Sequence, residues 1–221
     1  MKMRCWKAAA IFFFFLTAFF LRAEVAQGEH GMVVTVNPIA TQAGINAMQH
    51  GGNAIDAAVA SALTLGVVDG HNSGIGGGCF MLIRRANGSY LAIDGREMAP
   101  AKAARDMFLR DGKPDANLSQ LGALAIATPG ALAAYDSALK RWGKIPLKEH
   151  LLAAAKIAED GFKVDKHYAE VLKDSADDLK KVESTRAIFL KSDGKIFREN
   201  EIIAQPDLAK TYRAIATNGI S

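Results

Sequence analysis

Residues 74–79 read "GIGGGC", four glycines in five positions followed by a cysteine and an apolar run. Glycine is the costliest residue to order on folding, so a chain that concentrates it uses the backbone itself there. Bare amides beside one another form an anion-binding concavity. Phosphate is the first anion to weigh. A dinucleotide loop requires G-x-G-x-x-G after a strand and before a helix, so that phosphate meets a helix N-terminus. Here the run follows a helical pattern and precedes a strand, and Cys79 stands where the last glycine belongs. No G-x-x-x-x-G-K-[ST] occurs. The spacing excludes nucleotide binding.

Nucleophiles come next. Ser73 in "GHNSG" stands in G-x-x-S-G rather than the G-x-S-x-G of a nucleophile elbow, and it precedes a strand rather than a helix. Cys79 with His71 is a candidate pair, set against the plainer reading of Cys79 as a small apolar residue opening a strand. The five histidines, at 30, 50, 71, 150 and 167, share no ligand spacing and are expected as surface or capping residues, with no metal site. Acid pairs such as Asp177-Asp178 and Glu159-Asp160 fall on solvated helix faces.

Arg96, in "REMAP", is the remaining candidate. Asn87-Gly88 between two apolar runs predicts a hairpin. A two-residue turn there pairs Arg84 with Leu91, Leu82 with Ile93 and Cys79 with Arg96. Arg96 then leaves the sheet beside the glycine run. A guanidinium fork next to free amides suits a carboxylate. The alternative is an arginine tied to Asp94 or Glu97, or to a helix C-terminus, and spacing alone leaves both readings open.

The elements that position these residues follow from pattern. "MVVTV" at 32–36 predicts a short buried strand. Pro38 opens a helix that Gly51-Gly52 close. Asn53 caps the next, with Asp56 in its first turn. That helix is rich in small residues and is expected to lie buried against a sheet. Phe80 to Ile83 are apolar on consecutive positions, so both faces of their strand are expected to be covered. Helices follow from Thr128-Pro129 to Gly143, from Pro146 to Gly161, over 166–181, and from Pro206 to Gly219. A second hairpin is expected to turn at Asp193-Gly194. The fold class is layered α/β (α+β).

The chain has 221 residues, a net charge of +4 and 50% hydrophobic content, enough for one ordinary core. No basic cluster interleaves with aromatics, which excludes a nucleic-acid partner. Lys2, Arg4 and Lys7 precede the apolar run 8–21, the pattern of a signal peptide over 1–28 with a cut near "AQG" or after Ala23. An uncleaved anchor is the alternative. The expected location is secreted or periplasmic. Export removes Cys5 and leaves Cys79 alone, so no internal disulfide forms in the remaining 29–221.

At this point "GIGGGCFMLIRR" and "LAIDGREMAPAKAARDMF" resemble the large-subunit core of γ-glutamyltranspeptidases. The resemblance runs upstream through "GMVVTVNPIATQAGINAMQHGGNAIDAAVA" and downstream through "TPGALAAYDSALKRWGKIPLKEHLLAAAKIAEDGF" and "QPDLAKTYRAIATNG", about residues 31–219. It implies an N-terminal-nucleophile hydrolase fold, a four-layer αββα sandwich that this chain would fill in part. It implies a precursor that cleaves itself into two subunits, with the new N-terminal threonine of the small subunit as nucleophile. The substrates implied are glutathione and other γ-glutamyl compounds, with water or an acceptor amino acid or peptide receiving the γ-glutamyl group. No cofactor is implied. The "REMAP"-type arginine, here Arg96, would hold the glutamyl α-carboxylate as the substrate-binding residue.

The chain ends at "NGIS", before any such cleavage site, so no catalytic residue is assigned within it. Thr35, Thr41, Thr64, Thr128, Thr185, Thr211 and Thr217 are not candidates. Ala134 stands where relatives often carry glycine. The expectation is a fragment inactive alone, with the small subunit as its missing partner. An acylase acting on glutaryl or cephalosporin-type amides, and a non-catalytic binding product, are the alternatives.

Overall fold

The structure is a computed structural model that describes residues 25–220. The chain divides into residues 1–32 and residues 33–221. The apolar run 8–21 and the alternative cut after Ala23 lie outside the described residues. Residues 25–32 carry no helix or strand.

Two helices open the second unit, α1 (Pro38–Gln49) and α2 (Ala54–Val68). Asn37 caps α1 by accepting from the Ile39 amide at 2.9 Å, and Pro38 sits at its first position. Asn53 and Asp56 form a reciprocal capping box on α2. Small residues let the two helices approach closely. A Cβ built on Gly44 of α1 would fall 2.4 Å from the Ser61 hydroxyl of α2. Ser61 in turn donates to the Ala40 carbonyl at 2.9 Å.

Strands β1 (Cys79–Arg84) and β2 (Tyr90–Gly95) form the predicted antiparallel hairpin. A short pair, β3 (Leu109–Arg110) and β4 (Lys113–Pro114), and the five-residue α3 (Ala116–Gln120) lie in a largely exposed excursion. Helices α4 (Ala131–Trp142) and α5 (Leu147–Asp160) end where glycines were expected to stop them, at Gly143 and Gly161. Strand β5 (Phe162–Lys163) is followed by α6 (Lys166–Asp174), α7 (Ala176–Leu179) and α8 (Glu183–Phe189). Strand β6 (Ile202–Ile203) pairs with β5, and α9 (Pro206–Asn218) closes the unit.

The core centres on α2. Val59, Leu63, Val67 and Val68 are buried there with Leu151, Ala154 and Ala155 of α5 and with Tyr212 of α9. Tyr212 donates to the Leu63 carbonyl at 3.0 Å, and Gln205 to the Val67 carbonyl at 2.7 Å.

Four sequence expectations are corrected. Among the described residues, 33–36 pair with no strand, and Val34 and Val36 stand exposed. Helix α2 is buried mainly by α1, α5 and α4 rather than by a sheet, because its small residues fit helices as well as strands. The hairpin has one uncovered face, with Phe80 71% and Leu82 75% exposed. The helix expected over 166–181 breaks at Ser175 into α6 and α7. The turn at Asp193-Gly194 is present, with Gly194 at φ +76°. It closes a short hairpin, with Lys191 donating to the Lys195 carbonyl and Gly194 to the Lys191 carbonyl, both at 2.8 Å, and Leu190 bridging Ile196; the residues before it form helix α8, where Glu183 pairs with Arg186 one turn on.

Candidate functional site

The hairpin turn holds three residues rather than two. Arg85 donates to the Ser89 carbonyl at 2.8 Å, Gly88 donates to the Arg85 carbonyl at 2.9 Å, and Gly88 takes φ +85°. This is a type I turn completed by a left-handed glycine, and it shifts the register by one residue. Cys79 therefore faces Gly95, Leu82 faces Ala92 and Arg84 faces Tyr90. Arg96 emerges one residue past the last pair. Its amide donates to Asp94 Oδ1 at 2.9 Å.

The glycine run lines an open recess of about 600 Å³, with Asn72, Ser73, Cys79, Glu97 and Tyr135 among its other walls. Gly74, Gly76, Gly77 and Gly78 all avoid positive φ. Within the run, space rather than backbone torsion calls for glycine at Gly78. A Cβ at Gly78 would lie 2.7 Å from the Gly95 carbonyl oxygen and 2.8 Å from Glu97 Oε2. Gly74 and Gly76 face open space.

Arg96 is not itself a wall of the recess; its guanidinium reaches Glu97, which is. Nε lies 3.3 Å from Glu97 Oε2, and the arginine side chain is 67% exposed. The two Nη groups make no hydrogen bond among the described residues. Glu97 Oε1 accepts from the Gly78 amide at 2.9 Å, whereas Oε2 is buried without a hydrogen-bond partner among those residues. The glutamate's own backbone amide, then Arg96 and the Gly78 amide, hold its carboxyl below the usual range against a smaller opposing effect of burial. Of the two readings left open for Arg96, the structure shows the pairing with Glu97, through one nitrogen, and the Nη edge of the guanidinium makes no hydrogen bond among the described residues. Sequence reasoning weighed Glu97 only as a partner for its neighbour, although an acid next to an arginine after a strand was signal enough to test it.

The stem of the loop is tied down by Asp69, which is buried just past the end of α2. Ser73 Oγ donates to Asp69 Oδ2 at 3.2 Å, and His71 Nε2 lies 3.1 Å from Oδ1. The His71 ring also packs edge-on against His167 and Tyr168 of α6, centroids 5.5 and 5.4 Å away. Those contacts orient the loop and leave His71 unpaired with Cys79. The polar neighbour of Cys79 is the Tyr135 phenol. Burial pushes the Cys79 thiol up, and the same burial together with Cys79 pushes Tyr135 up to about 12. A thiol kept protonated is a poor nucleophile, so Cys79 is a packing residue here. Ala134, buried on α4, packs on Gly95: a Cβ at position 95 would lie 2.7 Å from the Ala134 methyl.

His150 departs from the surface role expected of it. It is 4% exposed, with Nε2 3.4 Å from Asp56 Oδ1, in the helical core. Among the described residues, no helix is long and apolar enough to cross a membrane.

The family model for gamma-glutamyltranspeptidase matches residues 40–221. The chain is 44% identical over 195 residues to the glutathione hydrolase proenzyme of Escherichia coli (strain K12), covering 87% of this chain and 33% of that protein. It is 38% identical over 203 residues to the acylase ACY 1 proenzyme of Pseudomonas sp. (strain SE83), covering 88% and 36%. It superposes on the crystal structure of Helicobacter pylori γ-glutamyltranspeptidase with a TM-score of 0.84 at 37% identity, covering 89% of this chain and 56% of that one. The chain spans about a third of the length of these curated relatives. The fold is therefore the layered α/β fold of that enzyme, present in part, and the chain belongs to the γ-glutamyltranspeptidase family.

Proposed function

We propose that this chain is the N-terminal part of a proenzyme that is exported and that transfers the γ-glutamyl group of glutathione and related compounds to water or to an amino acid or peptide. Arg96 receives the α-carboxylate of that group through its two Nη groups. The observation that carries this reading is the pairing of a bare glycine wall with a guanidinium committed at Nε only. A planar fork held at one nitrogen binds a carboxylate through the other two. Its role is orientation: a γ-glutamyl amide fixed by its far end presents its carbonyl carbon to the nucleophile in one pose. The nucleophile is a threonine of the small subunit, made by cleavage of the same precursor. Its hydroxyl forms an ester to the γ-carbonyl, the C–N bond breaks, and the departing amine takes the proton.

The uncovered face of the hairpin, with Phe80, Leu82 and Tyr90 outward, fits a chain that packs against the remainder of its precursor. Exposed apolar faces of this kind are otherwise a liability in an exported protein.

Two experiments test the reading. Sequencing the gene past codon 221 is expected to reveal an open frame with a Thr-Thr or Thr-Ser cleavage site; a stop codon there would leave a binding product without catalysis. In the complete precursor, Arg96→Lys is expected to raise KM for γ-glutamyl-p-nitroanilide roughly tenfold or more while self-cleavage continues, since lysine lacks the fork. An unchanged KM rules out the role of Arg96. Turnover of glutaryl amides in preference to γ-glutamyl amides would favour the acylase reading, which the 38% identity to the Pseudomonas acylase keeps in view.

A further inference from the structure

The segment 128–131, at the start of α4, touches both the glycine wall and the backbone that carries Arg96. Gly130 and Ala131 each donate a backbone N–H to the Gly77 carbonyl, both at 3.2 Å. That fixes α4 to the glycine wall. On the other side, Met98 and Thr128 exchange two backbone hydrogen bonds, at 3.0 and 2.8 Å, which clamp the strand leaving Arg96. Gly130 lies between the two. A Cβ built there would fall 2.4 Å from the Gly95 carbonyl oxygen and 2.6 Å from that of Arg96. These are backbone atoms at the root of the arginine, and they cannot swing aside as a flexible side chain would.

Gly130 has φ −113° and ψ −14°, a conformation that any residue adopts. Glycine is therefore required there by space alone. We infer that Gly130 is a positioning residue for Arg96: by letting α4 seat directly on the Gly95–Arg96 backbone while holding Gly77, it sets the distance between the guanidinium and the glycine wall. A methyl group at 130 pushes the Arg96 backbone away from the glycine wall, and the carboxylate-binding fork moves relative to the recess. The inference rests on the reading of Arg96 as the carboxylate-binding residue.

The test is a double-mutant cycle on the complete precursor, read as KM and kcat for γ-glutamyl-p-nitroanilide, with thermal melting alongside. Gly130→Ala is expected to lower kcat/KM roughly ten- to a hundredfold, chiefly through KM, as a displacement of about an ångström does elsewhere. In the Arg96→Lys background the same change is expected to add less than about twofold, because its target is already lost. A Gly130→Ala enzyme with a lowered melting temperature and an unchanged KM overturns the inference and leaves Arg96 standing. So does a KM effect that adds in full to that of Arg96→Lys. An Arg96→Lys enzyme with unchanged KM sinks the parent reading and this inference with it. If Gly130→Ala does not accumulate as folded precursor, Ala134→Val takes its place in the cycle. It presses the same strand end at Gly95 from the next turn of α4, and the same outcomes decide.

Discussion

The helical core around α2 and the hairpin that carries the site differ in how completely each satisfies itself. In the core the polar groups that are buried are also bonded. Asp56, fully buried, accepts from the amides of Asn53, Lys144 and Ile145 between 2.8 and 3.1 Å and lies against His150. Asn53 completes the joint by donating to the Trp142 carbonyl at 2.7 Å. One carboxylate thus caps α2 and fastens the α4–α5 connection. At the hairpin, by contrast, apolar side chains face outward and Glu97 Oε2 is buried without a hydrogen bond among the described residues. The core is closed within one chain, whereas the hairpin leaves an apolar face open.

The sharpest way to break that contrast is Asp56→Ala. It leaves three amides of the core joint without an acceptor. Each buried unmet donor costs about 1–3 kcal/mol, so a loss of roughly 3–5 kcal/mol is expected after partial relaxation. Urea unfolding of the chain measures it. A loss below about 1 kcal/mol would mean that water reaches the joint and that the core is no more closed than the hairpin.

Acid is the next lever. Burial lowers the His150 pKa from its ordinary 6.5, against the opposing pull of Asp56. For Asp56 burial pushes upward, but the three amides and His150 prevail and hold it below 3.8. Both groups therefore bind fewer protons folded than unfolded, and stability falls as the pH falls. The His150 contribution starts to go below about pH 6.5 and that of Asp56 below about pH 4. Urea midpoints measured from pH 7.5 to 5 are expected to decline, and His150→Leu is expected to flatten that decline. A midpoint indifferent to pH in this range would show that the imidazole charges without leaving its seat.

The two regions also differed in how far the sequence disclosed them. Helix limits in the core were legible because they are local: Pro38, Asn53, Gly143, Gly161 and Gly219 act within a turn of where they stand. The hairpin's existence was legible from Asn87-Gly88, but its register was not, since a two-residue and a three-residue turn share the same dipeptide. Arg96 was singled out through a register off by one; in the observed register it follows the last pair directly, next to Gly95, which Gly78 approaches together with Glu97. The contacts of Asp56, Glu97 and Gly130 reach partners as far as 94 residues away, or turn on the volume a methyl group would take, and residue type alone discloses neither. Burial on the hairpin was misjudged for a related reason. Consecutive apolar residues announce that both faces are meant to be covered, without saying which chain segment covers them.

The smallest effect expected in the chain by itself tests that last point most directly. Leu82→Ser removes an outward side chain that is 75% exposed. Surface changes of this kind shift stability by no more than about 0.5 kcal/mol, so the urea midpoint of the chain should hardly move. In the complete precursor the same change is expected to act differently. If the outer face of the hairpin is packed there, burying a serine in place of a leucine costs about 2–5 kcal/mol, the range of a large-to-small core substitution. The yield of self-cleaved enzyme and its melting temperature read that cost. A precursor as indifferent as the chain would mean that Phe80 and Leu82 face solvent throughout, and that the open region of this molecule is open for a reason other than assembly.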